Sequence, residues 1–406
     1  MNRIALMGAC VCLASTAVAA GNEFNPDISL ILQGRYVHAD AEAGGFPVGF
    51  FPASGGHEED DGHEHGAAGR GFSLDHSELI LSANIDHSLF GLATLAIEDD
   101  AVEVEEAWFQ TTGLGYSLSL KGGRFLSQIG YINEQHAHAW DFADQSFVYR
   151  AMFGGRLLHD GVQARWLAPT PMFLELGFEA ARGQFFPGSD EDGDRSGAGT
   201  RAAFVHLGDD LGSSNSWRAG LSWIESSPRD RHAHVHDAAD VETEVAFSGE
   251  SRIWVADLVW KWAPGGNMRH RYLKLQAEYM HRRERGELAC EDNLADGGLC
   301  DEASEDWRSS QSGFYAQAVY QFMPRWRVGY RYDRMNPGSL SADAVIAAWL
   351  HADHDPERHT LMLDFSPSEF SRLRFQLARD AATEERETIA TLQYIMSLGA
   401  HGAHKF

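Results

Sequence analysis

Cysteine is scarce in this chain: there are four in 406 residues, and Cys10 and Cys12 fall inside an apolar N-terminal stretch. That excludes a small disulfide scaffold. Cys290 and Cys300 remain, in a Gly/Asp/Glu-rich segment. They are expected to close a disulfide across a surface loop; zinc ligation by the two thiolates is the alternative, and no CxxC spacing supports it. Long apolar runs are also missing. No segment after the leader approaches the ~18 residues of a spanning helix. Positive charge is short, with 33 Lys and Arg against 59 Asp and Glu, a net of −26. This argues against nucleic acid and for attraction of cations. No GxSxG, Walker-type or HExxH spacing occurs, so no catalytic constellation stands out and no enzyme is expected. Asp190-Glu191-Asp192-Gly193-Asp194 resembles calcium ligands without the EF-hand spacing, and weak divalent binding that bridges lipopolysaccharide is the reading there.

What is present begins with a leader. Arg3, the apolar run Ile4 to Ala14 and the small residues Ala17-Val18-Ala19-Ala20 read as a signal peptide over 1–20. Lipidation at Cys10 or Cys12 is the alternative, but Met-Gly-Ala precedes Cys10 without the expected leucine. Residues 21–406 then alternate apolar and polar with period two. Leu79, Leu81, Ala83 and Ile85 interleave with Glu78, Ser82 and Asn84; Leu373, Phe375 and Leu377 interleave with Arg372, Arg374 and Gln376. Sixteen such strands are expected to start near Asp27, Asp75, Phe90, Val102, Ser117, Gly161, Phe173, Thr200, Trp217, Ser251, Tyr272, Ser312, Arg325, Arg358, Ser371 and Glu387.

The connections alternate in length. Long ones fall at roughly 39–73, 126–160, 184–198, 225–250, 284–310 and 336–357, and short ones at Asp86-His87-Ser88-Leu89, Gly113-Leu114-Gly115, Ala168-Pro169-Thr170-Pro171, Met323-Pro324 and Ser366-Pro367-Ser368. Short turns on one side and long loops on the other predict an all-β, transmembrane antiparallel barrel with both termini in the periplasm. A sheet wet on one side and lipid-facing on the other also accounts for 41 Gly, 11 Trp, 11 Tyr and 23 Phe beside only 12 Pro at a mildly polar mean hydropathy. Tyr36, Trp108, Trp166, Trp217, Trp223, Trp254, Trp262, Trp326 and Tyr332 sit near predicted strand ends and are expected to form interfacial girdles. The terminal Phe406 on its alternating strand is the expected signal to the barrel-assembly machinery of a Gram-negative bacterium.

The blocks NEFNPDISLILQGRY, VEVEEAWFQ, GRFLSQIGYINEQHAHAWDFADQSFVYRAMFGG and LQYIMSLGAHGAHKF resemble a family of outer-membrane porin-like proteins. Its architecture is related to the phosphate-selective porins, and its members are often labelled zinc-regulated or TonB-dependent outer-membrane receptors. The resemblance implies a barrel in the outer membrane and a link to zinc supply. The receptor label meets a physical objection. Such receptors carry a globular plug of about 130–150 residues inside 22 strands, whereas the first strand here starts within about ten residues of the leader, so no plug domain is expected.

Histidine clusters carry the candidate chemistry. The first long loop holds His57, Glu58, Glu59, His63 and His65; the fifth holds His232, His234 and His236; the seventh holds His351 and His354; the tail holds His401 and His404. Imidazole with carboxylate suits weak capture of Zn²⁺ or another divalent cation, with no cofactor required; a merely solvated acidic loop is the alternative. The third loop, 126–160, carries His136, His138, Asp141, Asp144 and Arg150, and it is expected to fold back into the channel on Trp140, Phe142, Phe147 and Phe153. Asp141, Asp144, Arg150, Arg165, Arg327 and Arg331 are the expected pore constriction. Lys121, Arg165, Arg218, Lys274, Arg327, Arg331 and Arg374 against Glu78, Glu175, Glu179, Asp257 and Glu278 predict a bore of mixed sign with a transverse field. The expectation is therefore a passive porin for small hydrophilic solutes linked to divalent metal, embedded in outer-membrane lipid and lipopolysaccharide. Many porins are trimers, and a homotrimer is carried as an expectation although no contact face is legible. The alternative is a metal-capturing receptor or surface binding protein that does not conduct.

Overall fold

The computed structural model describes residues 26–40, 45–51, 69–98, 101–189, 197–236, 242–290, 303–341 and 354–399. The leader 1–20, His57, Glu58, Glu59, His63, His65, Cys300, His351, His401, His404 and Phe406 lie outside the described residues, as do the side chains of His234, His236 and Cys290.

The strands are β1 (Asp27–Ala39), β2 (Gly71–Leu74), β3 (Ser77–Asn84), β4 (Leu89–Ile97), β5 (Val102–Thr111), β6 (Leu118–Leu126), β7 (Leu158–Leu167), β8 (Phe173–Ala181) and β9 (Thr200–Leu211). They continue as β10 (Asn215–Ser226), β11 (Arg231–His236), β12 (Glu242–Trp262), β13 (Tyr272–Cys290), β14 (Ala303–Met323), β15 (Trp326–Ser341), β16 (Glu357–Ser368), β17 (Ser371–Ala381) and β18 (Glu387–Gly399). These 18 segments form sixteen staves, because two staves are interrupted. β2 and β3 both pair with β1, and β10 and β11 both pair with β12. Every strand pairing among the described residues is antiparallel, and β1 on β18, from Ser29↔Gly399 to Ala39↔Ile389, closes the ring. Closure pairs each of the sixteen staves on both sides, so the wall can satisfy its backbone groups without water, while among the described residues the short β2 and β11 each pair on one side only, with β1 and β12.

The side chains are sorted inside out. Val162, Leu258, Leu361 and Phe375 are about half exposed on the outer surface, while Gln163, Asp257, Thr360 and Arg374 beside them are buried toward the bore. Trp166 and Trp254 are exposed on the outside. Trp108 departs from the girdle expectation: its indole N–H donates to Glu106 (3.1 Å) and Lys121 lies over its ring, so it faces inward.

The sheet extends further than the sequence pattern predicts. Segment 225–250 is largely a hairpin of β11 and the start of β12, not a loop, and β13 and β15 run on to Cys290 and Ser341. The turn placed at Ser366-Pro367-Ser368 lies instead at 369–370, after β16. At the long-loop end Phe51, Ala233, Val245, Phe247, Leu288 and Trp307 form a buried apolar cluster. There the usual soluble arrangement holds, apolar in and polar out, so the alternation changes phase and the strands cease to look like barrel staves.

Candidate functional site

The bore is occupied by the connection between β6 and β7. Its base is stapled by Asn133, whose amide donates to the carbonyls of Ser127 (2.7 Å) and Leu157 (2.9 Å) and whose oxygen accepts from Leu157 N–H (2.7 Å). Within it lie a 3₁₀ turn (Ala137–Ala139) and α1 (Phe147–Phe153). All seven residues of α1 are buried, because it sits inside the barrel against Ile224, Ile253, Val255, Met280, Tyr315 and Met335. The inner wall is thus apolar where α1 packs. Gly154, left-handed at φ 63°, ends the helix by donating to Arg150 (3.0 Å), and Gly155 donates to Tyr149 (3.1 Å).

Two aspartates latch this loop to the wall. Asp141 pairs with Arg327 (3.0 Å) and Lys274; Asp144 pairs with Arg358 (2.8 Å) and Arg331 (3.0 Å) and accepts from Gln376 (2.8 Å). Arg374 donates to the Trp140 carbonyl (2.7 Å), and the wall residue Asp333 accepts from Phe147 N–H (3.1 Å) at the start of α1. Glu278 accepts from Tyr149 (2.8 Å) and Tyr315 (2.6 Å) hydroxyls and from the N–H groups of Tyr131 and Ile132. Gly130, at φ 61°, lies so close that a Cβ there would strike Glu278 and the Tyr149 hydroxyl.

Of the six expected constriction residues, Asp141, Asp144, Arg327 and Arg331 come together in this latch. Arg150 is buried on α1, bonds the Gly45 carbonyl (3.4 Å) and lies near the Phe46 ring. Arg165 stands apart, bonded to Gln110 (2.9 Å) and Glu175 (3.4 Å). The open transverse field expected from mixed signs is altered accordingly, since on β13 and β15–β17 the cations are paired with loop and wall carboxylates such as Asp333, Asp364 and Asp380. Lys274 was legible as a bore residue; Arg358 and Asp333 were missed as latch partners, although Arg358 stands in a strand of ordinary alternation.

The metal loops are only partly described. His232 is half-buried in β11, and the backbones of His234 and His236 pair with Glu244 and Glu242 of β12, so these three belong to a strand and not to a flexible loop. His354 donates to the Ala381 carbonyl (3.1 Å).

A second cluster lies where the loop meets β3 and β5. His76, Glu78, Glu105, Glu106, His136 and His138 converge there, with Glu98 and Arg156 at its edge. Three local irregularities bring them in. His76 lies in the break between β2 and β3, just before β3 and its inward Glu78. The register of β4 on β5 jumps from Thr94↔Glu106 to Leu95↔Val104, leaving Glu105 as the extra residue of a β-bulge, so adjacent glutamates both face the bore. The 3₁₀ turn spaces His136 and His138 on one side.

Burial pushes the Asp141 and Asp144 carboxyls up, but Lys274 and Arg327 for the first, and Arg358 and Arg331 for the second, outweigh it and hold both well below the ordinary carboxylate range. A lowered folded pKa contributes stability that is complete above the unfolded value, about pH 4, and is lost as pH falls below it. Protease resistance of 127–157 in the reconstituted barrel is therefore expected to hold from neutral pH to about pH 5 and to fall below about pH 4. Release beginning at about pH 6 would contradict the latch.

A closed sixteen-stave antiparallel barrel, apolar outside and charged within, has the fold of the outer-membrane porins. In fold the chain is similar to a loop L8 deletion mutant of OmpT, an outer membrane protein of Vibrio cholerae, at TM-score 0.52 and 10% identity over 92% of this chain and 99% of that one. It is also similar to Pseudomonas putida OprB (TM-score 0.51, 13% identity, 92% and 94% covered) and to Salmonella typhi OmpF solved with daunomycin (TM-score 0.50, 12% identity, 93% and 99% covered). No protein-family model matches the chain. It belongs to the same family as an "Uncharacterized protein" of Aquifex aeolicus (strain VF5), 33% identical over 400 residues, which span 94% of this chain and 80% of that one. The TonB-dependent label finds no support among these relatives, and among the described residues the bore holds the connecting loop rather than a globular plug.

Proposed function

We propose that the protein is a passive, non-enzymatic outer-membrane channel for small hydrophilic solutes, with divalent metal drawn to its mouth by the His/Asp/Glu loops. The observation that supports this is the bore itself: a closed wall with a lipid-compatible exterior surrounds ionised side chains, and a loop narrows it from within. The net charge of −26 favours cations at the entrance. Outer-membrane lipid and lipopolysaccharide surround the barrel in this reading. In this reading the assembly machinery recognises the C-terminal sequence that ends in Phe406, and three copies assemble as in many porins.

Planar-bilayer recording of the purified protein tests it. A steady channel with cation preference, altered by Zn²⁺, is the expected result. A barrel that inserts and never conducts would instead favour the second reading, a metal-capturing surface protein. The complete burial of α1 in the bore is the feature that favours that alternative. Deleting residues 56–66 is expected to leave conductance in place and to weaken zinc binding at the mouth. A zinc titration unchanged by the deletion would remove that loop from the function.

A further inference from the structure

The cluster between the loop and the β3–β5 wall is not used by the channel reading. We propose that His76, Glu78, Glu105 and His136 form a site for one divalent transition-metal cation that fastens the inward loop to the barrel wall. The donor atoms of His76, Glu78 and Glu105 lie within 4.8 Å of one another. His136 Nδ1 is 3.1 Å from Glu78 and 3.2 Å from Glu105, and His76 Nε2 is 3.2 Å from Glu105. Four donors around zinc at bonds of about 2.0–2.1 Å stand about 3.3 Å apart, so the set would draw together on binding, since His136 Nδ1 faces Glu105 Oε2 whereas His76 Nε2 faces Glu105 Oε1.

Two further observations point to a ligand. His76 Nε2 and Glu78 Oε2 are buried and make no well-aligned hydrogen bond, standing only in ion-pair contact with Glu105 (3.2 Å) and His136 (3.1 Å), while Glu105 Oε1 also contacts Arg156; Glu78 and Glu105 are 0% and 8% exposed. Each ligating imidazole is also held through its other nitrogen by an outer carboxylate. Glu98 binds His76 Nδ1 (2.9 Å), leaving Nε2 aimed inward, and Glu106 binds His136 Nε2 (2.9 Å), leaving Nδ1 aimed inward. Carboxylate–histidine pairs of this kind orient metal-bound imidazoles. His138, whose Nδ1 is 3.2 Å from Glu78, stands beside the set as a further donor. Arg156 contacts Glu105 and balances part of the negative charge, so Glu105 is the most weakly committed ligand.

Mixed nitrogen and carboxylate donors select zinc, cobalt, nickel or copper over magnesium or calcium. With ligands from β3 and the break before it, from β5 and from the loop, the ion would join the inward loop to two staves of the wall. The site stands whether or not the barrel conducts, so failure of one reading leaves the other intact.

The test uses the full barrel, stripped with chelator, and titrates Zn²⁺ by calorimetry and Co²⁺ by visible absorption. One tight site per chain with tetrahedral Co²⁺ bands is expected, separate from the weak capture at the mouth, and it persists when residues 56–66 are deleted. Glu78→Gln combined with His136→Asn is expected to abolish it while the barrel still shows heat-modifiable migration on a gel. If that pair fails to fold, Glu98→Gln and Glu106→Gln, which touch only the outer carboxylates, should each weaken binding about 10–100-fold. Binding that is unchanged in these variants, or that vanishes with residues 56–66, overturns the proposal. So does a stripped wild-type barrel that takes up no metal, which would leave the cluster as a hydrogen-bonded ion network.

Discussion

Asp141→Asn together with Asp144→Asn is expected to free the inward loop from the wall and to raise single-channel conductance several-fold. The two carboxylates hold Lys274, Arg327, Arg331 and Arg358, all largely buried. Breaking a buried ion pair by removing one partner costs about 3–5 kcal/mol, because the remaining charge is left without compensation. Two such losses rival the whole stability of an ordinary domain, about 5–15 kcal/mol. The loop gives way and not the barrel, since neither aspartate belongs to the strand ladder. Water then reaches the four cations, and the bore widens along β13 and β15–β17. Trypsin cleavage at Arg150 and Arg156 in reconstituted vesicles should appear together with the larger conductance. Unchanged conductance with intact Arg150 and Arg156 would mean that the apolar packing of α1 alone retains the loop.

The other large effect concerns the outer surface. Phe375 is 48% exposed and points outward, between Arg374 and Gln376, which are buried in the bore. Phe375→Arg places a charge on the lipid face, at a cost of about 2–4 kcal/mol near the bilayer midplane. Folding of the variant into vesicles should show a lower denaturant midpoint and a smaller assembled fraction. Its neighbour is already arginine, and that residue is satisfied by Asp364 (2.9 Å) and the Trp140 carbonyl (2.7 Å). Two adjacent positions thus tolerate the same side chain to opposite degrees, which follows only if one faces lipid and the other the bore. A variant as stable as the parent would require water outside the wall.

Period two determined most of the wall. Leu373, Phe375 and Leu377 against Arg372, Arg374 and Gln376 assign both faces of β17 without coordinates, because a strand has only two sides and lipid accepts one kind of residue. The rule lapses where both solvents are water. Val245 and Phe247 turn inward at the long-loop end, so the start of β12 reads as loop although its backbone is paired throughout. It lapses again beside α1, where Ile253, Val255 and Met280 line the bore because a helix covers them.

The sequence by itself determined a closed, two-faced sheet of sixteen staves, its inward charges and the loop able to enter it, since each follows from local alternation and loop length. Only the tertiary structure decided which wall cations the loop engages, and that His76, Glu78, Glu105 and His136 meet. These partners lie far apart along the chain and depend on a strand break, a one-residue bulge and a 3₁₀ turn. Each shifts side chains by a register that no periodic pattern encodes, because it is set by what packs across the bore.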